Sequence, residues 1–487
     1  MRNGRIVFFN IIVLLWALSF NGQSQNKNIH RYFEKIRNNE ALLTAFFMQM
    51  PKGGDLHHHF SGSVYAETYL EYAIENNYWL NRNTLEVAIE KKSEDPVWTQ
   101  FSTLQSEGSL NLYRSKLLQK WSVKDYNLSN IPPDKLFFET FAYFSPISKQ
   151  PNCIAKGLLE LKHRAKIENV SYLETMLSTV PCSPPPPGIE KYNFRLRQIQ
   201  NQRDTLALFS LLDSLLPLLN LERLENCAET YAKNNRRMHD SLQLDESDFI
   251  IRYQTYVHRH SEPTALFQSL WIAFAASQKS PLIVGVNIVG AEDHPIALQD
   301  YWLHMAMFRY CHKKFPAVKY ALHAGELTLG FVKPEELTWH IQEAIFLAQA
   351  HRVGHGVDIM HESQIFEILK WMHTQKIPVE INLSSNEFIL GVKGNKHPIE
   401  LYFQHKVPIV ICSDDAGVLR NNFTHQFVLL AQRYRKIRYK HIKEFIFNSL
   451  HYAFIEEESL KKALIQNLEK RFAYFEKKIL QNCYKKL

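Results

Sequence analysis

Eight short β-rich runs, separated by helical stretches, narrow the folding options of this sequence more than any other feature. They read GGDLHHHF, VSYLETML, DFIIRYQTYVH, SPLIVGVNIVG, VKYALHAGE, HRVGHGVDI, IPVEINLSS and VPIVICSDD. Strands that alternate with helices pair in parallel, since each crossover returns the chain to the same end of the sheet. Eight such units are the count of a (β/α)8 TIM barrel, so the expected fold class is α/β. The chain has 487 residues, well beyond the ~250 of a plain barrel. The excess is assigned to two insertions, roughly 64–135 after the first strand and 178–248 after the second. The second insertion opens with CSPPPPG, whose prolines favour a stiff extended spacer.

The amino end reads MRNGRIVFFNIIVLLWALSFNGQSQ: two arginines, an apolar run from Ile6 to Phe20, then small residues. That order describes a secretory signal peptide over residues 1–22, with secretion or export to a periplasm as the expected destination. The apolar run is shorter than the ~18 residues that argue for a span, so no stable membrane insertion is expected after cleavage. Residues 23–54 form an expected helical arm, with apolar residues returning at three- and four-residue steps. Residues 55–487 make the barrel domain. The arm can pack on the body or on a second copy, which makes a homodimer an option. A net charge of +8 spread over this length, with no arginine-rich block and no zinc-finger spacing, gives no nucleic-acid signature. The six cysteines contain no CxxC pair, so neither a dense disulfide scaffold nor a thiolate metal site is indicated. A single bridge, such as Cys153 with Cys182, is compatible with an oxidising compartment.

Functional side chains of such barrels sit at the carboxyl ends of strands. Here the first strand ends in His57 and His59, the fifth in His323 and Glu326, the sixth in His355, the eighth in Asp414 and Asp415. Strand side chains alternate faces, so His57 and His59 share a face and His58 points away. Any one of these residues has a structural explanation, as a hydrogen-bonded core histidine or a helix cap. Together, His57, His59, His323 and Asp414 make a nitrogen-and-oxygen donor set suited to one Zn²⁺ per chain. Glu326 is then placed to donate a proton, and His355 to orient a water and take its proton. Asp415 faces a substrate instead of the metal, because neighbouring residues do not easily converge on one ion.

These residues resemble the adenosine deaminase family, in the metal-dependent amidohydrolase superfamily of barrels. LHHHF matches its His-x-His strand, and HAGE, GHG and DD occur in the family's order at the fifth, sixth and eighth strand ends. GVNIVGAED is similar to its fourth-strand segment, which implies that the Gly290 backbone meets a purine. The leader, MPKGG, the arm and the first insertion resemble the secreted, growth-factor-like adenosine deaminase 2 branch. The resemblance implies His57, His59, His323 and Asp414 as zinc ligands and Glu326 as proton shuttle to the ring nitrogen. It further implies His355 as partner of the attacking hydroxide, Asp415 on the imidazole side of the purine, and Glu174 and His258 at the ribose. The implied activity is a secreted, zinc-dependent conversion of adenosine, and of 2′-deoxyadenosine, to inosine and ammonia. Alternatives are deamination of another aminopurine nucleoside, or a secreted binding or signalling role on a retained barrel. Three positions depart from the family pattern. Ser61 stands where cytosolic members carry aspartate, Asn287 replaces a fourth-strand aspartate, and Ala416 follows the final DD where proline is usual.

Overall fold

A computed structural model describes residues 28–484. The expected signal peptide lies outside the described residues. All eight expected strands are present, and we number the barrel strands alone. They are β1 (Gly54–His59), β2 (Tyr172–Ser178), β3 (Ile250–His258), β4 (Ile283–Val289), β5 (Ala321–Ala324), β6 (Arg352–His355), β7 (Val379–Ile381) and β8 (Ile409–Ile411). Adjacent strands pair in parallel as two four-stranded sheets, β1–β2–β3–β4 and β5–β6–β7–β8. Two parallel bridges close the cylinder, Val286 with Tyr320 between β4 and β5, and His58 with Asp414 between β1 and the segment after β8. The closure at β1 is decisive for function. Asp414 N–H donates to His57 O (2.9 Å), and His59 N–H donates to Asp414 O (3.2 Å), so both chain segments meet at one rim.

Strand residues such as Val353, Val379, Ile381 and Ile409 are fully buried, as expected for parallel strands covered by helices. The arm forms helices over residues 28–36 and Glu40–Gln49 and lies on the chain's own barrel. Phe33, Phe46 and Phe47 are buried there, and Phe46 packs edge-on against Phe475 of the last helix. Arg37, 1% exposed, pins the arm by donating to Ala431 O (2.7 Å), Tyr434 O and Ile437 O (both 2.8 Å).

The first insertion holds three short antiparallel strands (Trp79–Asn81, Val87–Ala88, Trp98–Gln100) among helices. The second holds helices Tyr192–Gln202, Thr205–Leu215 and Leu221–Ser241. Two expectations are corrected. Cys153 is buried and free, and Cys182 bridges Cys227 instead, which ties the start of the second insertion to its last helix. Two scattered cysteines 45 residues apart gave no sequence signal for that pairing. The helical stretch expected between the fifth and sixth strands is broken, over 334–350, into a 3₁₀ turn (Pro334–Thr338), a short α-turn (His340–Gln342) and a π-turn (Glu343–Leu347). Among the described residues, no single helix is long and apolar enough to cross a membrane.

Candidate active site

The strand ends converge as their alternation requires. His57 and His59 present their rings to one face, 5.4 Å apart at the centroids, while His58 turns away and pairs its Nδ1 with Thr175 Oγ1 (2.9 Å). His59 Nε2 lies 3.1 Å from His323 Nε2 and 3.3 Å from Asp414 Oδ1, and His57 Nε2 lies 3.5 Å from the same oxygen. His57 Nε2 is buried and has no hydrogen-bond partner. For a tetrahedral zinc with ~2.0–2.1 Å arms, neighbouring donor atoms stand about 3.3–3.4 Å apart. His57, His59 and His323 form a possible metal-holding trio, Asp414 stands at or near that spacing from two of them, and the unpartnered nitrogen is a donor in search of an ion.

The ring nitrogens on the far sides are fixed by hydrogen bonds, which is how ligand imidazoles are oriented. His57 Nδ1 meets Glu380 Oε2 (2.7 Å), and His323 Nδ1 meets Asn287 Oδ1 (2.9 Å). Asn287 in turn donates Nδ2–H to Gln254 Oε1 (3.0 Å), and Gln254 donates to Glu174 Oε1 (2.7 Å). A carboxylate accepts only, so the chain has one polarity: His323 must donate Nδ1–H and keep the Nε2 lone pair for the metal. Asn287 therefore does by amide orientation what an aspartate would do by charge.

This chain also corrects one expectation. Glu174 does not reach the cavity. It is the third residue of the seven-residue β2, fully buried, and joined to Arg352, Gln254 and Tyr172 inside the cylinder. Its place is the layer beneath the site. The resemblance implied a ribose contact, but β2 runs on to Ser178 and leaves Glu174 inside the strand, short of its carboxyl end.

Backbone conformation marks the same rim. His355 (φ 66°) and Asp414 (φ 61°) both occupy the left-handed region, where a side chain other than glycine carries strain that functional sites commonly hold. Glycines make room for the rings. A Cβ at Gly354 would lie 2.7 Å from His57 Cε1, and one at Gly62 would lie 1.6 Å from Asp415 Oδ1. So the first glycine of GHG serves the metal-facing histidine on another strand.

A cavity of about 640 Å³ opens from these residues. His59, His323, Glu326, His355, Asp414 and Asp415 form its floor, and Ser61, Tyr256, His258 and Gly290 its sides. Phe137, Phe138 and Phe141, from helix Pro133–Ser148, cover one wall. Glu326 Oε1 and Asp415 Oδ1 are buried without partners. Burial, then the Asp414 charge, raises the Glu326 carboxyl well above its usual range, and burial does the same for Asp415. Burial would also raise Asp414, but His59 and His57 outweigh it and hold that carboxyl well below. Burial lowers His355 to about 3. Burial would lower His59, but Asp415 and Asp414 outweigh it and push that ring up to about 9. The floor thus combines a carboxylate held low, imidazoles pushed in opposite directions and two carboxyls pushed toward the protonated form, a layout for acid–base work beside a metal. Sequence reading missed Glu380, Asn386, Tyr256 and the phenylalanine wall. GHG and HAGE carry family patterns, whereas a glutamate inside VEI and a helix between the first insertion and β2 carry none.

Comparison with known proteins agrees with this geometry. The family model described as adenosine deaminase matches residues 234–471. A probable adenosine deaminase of Dictyostelium discoideum is 24% identical over 462 residues, covering 91% of this chain and 47% of the relative. The chain spans about half the length, or less, of the curated relatives it matches. Among solved structures, the N6-mAMP deaminase of arabidopsis aligns with TM-score 0.56 at 17% identity, covering 88% of this chain and 99% of that one. A cog1816 amidohydrolase from Burkholderia ambifaria, solved with bound Zn, aligns with TM-score 0.56 at 14% identity, covering 90% and 94%. These likenesses bear out the TIM-barrel fold and make the chain, over just under half of its length, similar to the adenosine deaminase family.

Proposed function

We propose, with the adenosine deaminase family as premise, that this chain is a zinc-dependent hydrolase that deaminates adenosine, and 2′-deoxyadenosine, to the inosine nucleoside and ammonia. One observation carries the reading: four donors spaced for a single cation share a cavity floor with two unpartnered carboxyls. His57, His59, His323 and Asp414 would hold the metal. When bound, it supplies Lewis-acid activation of water at neutral pH. Glu326 gives its carboxyl proton to the ring nitrogen beside the amino-bearing carbon as water oxygen bonds to that carbon. It then recovers one proton from the water, and the remaining hydroxyl proton passes to the amino group, which leaves as ammonia as its C–N bond breaks and the C=O bond forms. His355 faces the attacking oxygen. Asp415, behind Gly62, reaches the imidazole side of the purine, the Gly290 backbone meets the purine, and His258 faces the sugar.

The rim favours a neutral nucleoside over a nucleotide. Asp134 and Asp293 stand there against one cation, Lys135, and two carboxylates repel a 5′-phosphate. Ser61, in the cavity wall, favours a second reading in which another aminopurine nucleoside is the better substrate. The leader at residues 1–22 supports secretion as part of the same proposal. Zinc-loaded, folded protein should shift the ultraviolet spectrum of adenosine to that of inosine, with AMP and N6-methyl-AMP turned over at least about tenfold less efficiently in kcat/KM. No turnover of any aminopurine nucleoside by folded, zinc-loaded protein rejects the reading. Preference for a nucleotide rejects the rim argument alone.

A further inference from the structure

We infer that Asn386 and His397 are positioning residues that lock His355 as a neutral imidazole with its proton on Nε2. His355 then holds the attacking oxygen as a hydrogen-bond donor and is barred from serving as a metal ligand. The inference rests on the proposed reaction for its functional meaning, but not for its geometry.

His355 stands close enough to be mistaken for a ligand. Its Nε2 is 3.9 Å from Asp414 Oδ2, and its ring centroid is 4.8 Å from that of His57. By proximity, His57, His355 and Asp414 form a possible metal-holding trio of their own. What separates His355 from the ligands is the direction of the hydrogen bonds behind it.

That direction starts at a backbone N–H, a group that can only donate. Ile399 N–H donates to His397 Nδ1 (3.2 Å), at the start of helix Ile399–Gln404. His397, 3% exposed, is therefore unprotonated at Nδ1, and as a neutral ring it carries its proton on Nε2. Nε2–H points at Asn386 Oδ1 (3.1 Å). The Asn386 carbonyl is thus committed to His397, which turns its amide Nδ2–H toward His355 Nδ1 (2.9 Å). Asn382 Nδ2 stands 3.4 Å from both ring nitrogens and favours neither, so the nearer Asn386 contact decides: Nδ1 accepts, and the His355 proton sits on Nε2. Glu326 Oε1, 3.4 Å from the same Nδ1, then faces a lone pair, which suits a carboxyl that carries a proton.

The chain behind His323 runs the other way. It ends on the acceptor Glu174, so His323 donates from Nδ1 and offers an Nε2 lone pair. Two histidines on adjacent strands thereby receive opposite tautomers from opposite anchors, a backbone donor and a buried carboxylate. One becomes a ligand and the other a donor. In place of the base expected from the sequence, His355 orients and stabilises the attacking oxygen, and the water proton passes to Glu326.

Two measurements test this. Nitrogen-15 spectra of the zinc-loaded chain, with His355 assigned by its loss in His355→Phe, should show Nε2 protonated and Nδ1 bare across neutral pH. This readout does not depend on turnover, so it separates failure of the tautomer argument from failure of the proposed reaction. A protonated Nδ1 overturns it. Asn386→Asp replaces the donor by an acceptor of the same shape and should move the ring proton to Nδ1. It should lower kcat by about 100-fold or more, with KM within about threefold and one zinc per chain retained, as tautomer inversion does in other histidine sites. His397→Gln, which can still accept from Ile399 and donate to Asn386, should stay within about fivefold of the wild type, whereas His397→Phe should fall with Asn386→Asp. Wild-type kcat in Asn386→Asp overturns the inference, and should that variant not fold, the spectra of the unaltered chain decide.

Discussion

Two buried polar layers lie one above the other inside the same cylinder, and they are built on opposite rules. In the lower layer, Arg352 bridges Glu174 and Glu380 and lies 3.6 Å over the Phe454 ring, and Gln254 and Tyr172 complete the shell of Glu174. In the upper layer, His57 Nε2, Glu326 Oε1 and Asp415 Oδ1 lack partners. An unpaired buried polar atom costs about 1–3 kcal/mol, so a fold tolerates several together only where something else completes them. The difference teaches how to tell the two kinds of buried charge apart. A closed network holds the barrel together, while an open one awaits a metal and a substrate. The layers are also wired to each other, since Glu380 reaches His57 and the Glu174–Gln254–Asn287 chain reaches His323. The structural layer thus aims the chemical one.

The sharpest break between them should come from Glu326→Gln. Removing a positioned general acid should lower kcat by about 10²–10⁴-fold, while the denaturation midpoint and zinc content stay near those of the unaltered chain. A midpoint that falls with the rate would make Glu326 a structural residue like Glu174. Next, Arg352→Met strands two carboxylates in the interior and should cost about 3–5 kcal/mol of stability, read as a lower urea midpoint. Zinc affinity should fall as a secondary effect through Glu380 and His57. If stability holds and only zinc is lost, the lower layer is part of the site and the division fails. The smallest effect belongs to His58→Ala, which should keep one zinc per chain by metal analysis and change kcat/KM less than about threefold, because its ring pairs with Thr175 behind the rim. His57→Ala and His59→Ala should each strip the metal, and equal loss in all three would refute the alternation of faces.

Legibility in the sequence followed the same division. The eight strands and their order could be read because runs such as VPIVIC and SPLIVGVNIV are apolar, β-branched and bounded by turn residues. The rim residues could be read because they stand at strand ends, where the pattern changes from apolar to polar. Glu174 misled, since a glutamate inside YLETML looks the same whether it lies mid-strand or at the mouth. Only the length of β2 and the position of Arg352, 178 residues away, decide which. The Cys182–Cys227 bridge and the phenylalanine wall of helix Pro133–Ser148 escaped for a related reason: they depend on how segments outside the barrel strands fold back on the barrel.

The sequence by itself determined the chemistry available, namely a parallel barrel and a set of imidazoles and carboxylates at its mouth, because side-chain alternation and strand composition are local properties. Only the tertiary structure decided which nitrogen of each ring is free. That choice is made by the far ends of hydrogen-bond chains, at Glu174 for His323 and at the Ile399 backbone for His355. No local pattern records such partners, since they meet only once the cylinder has closed.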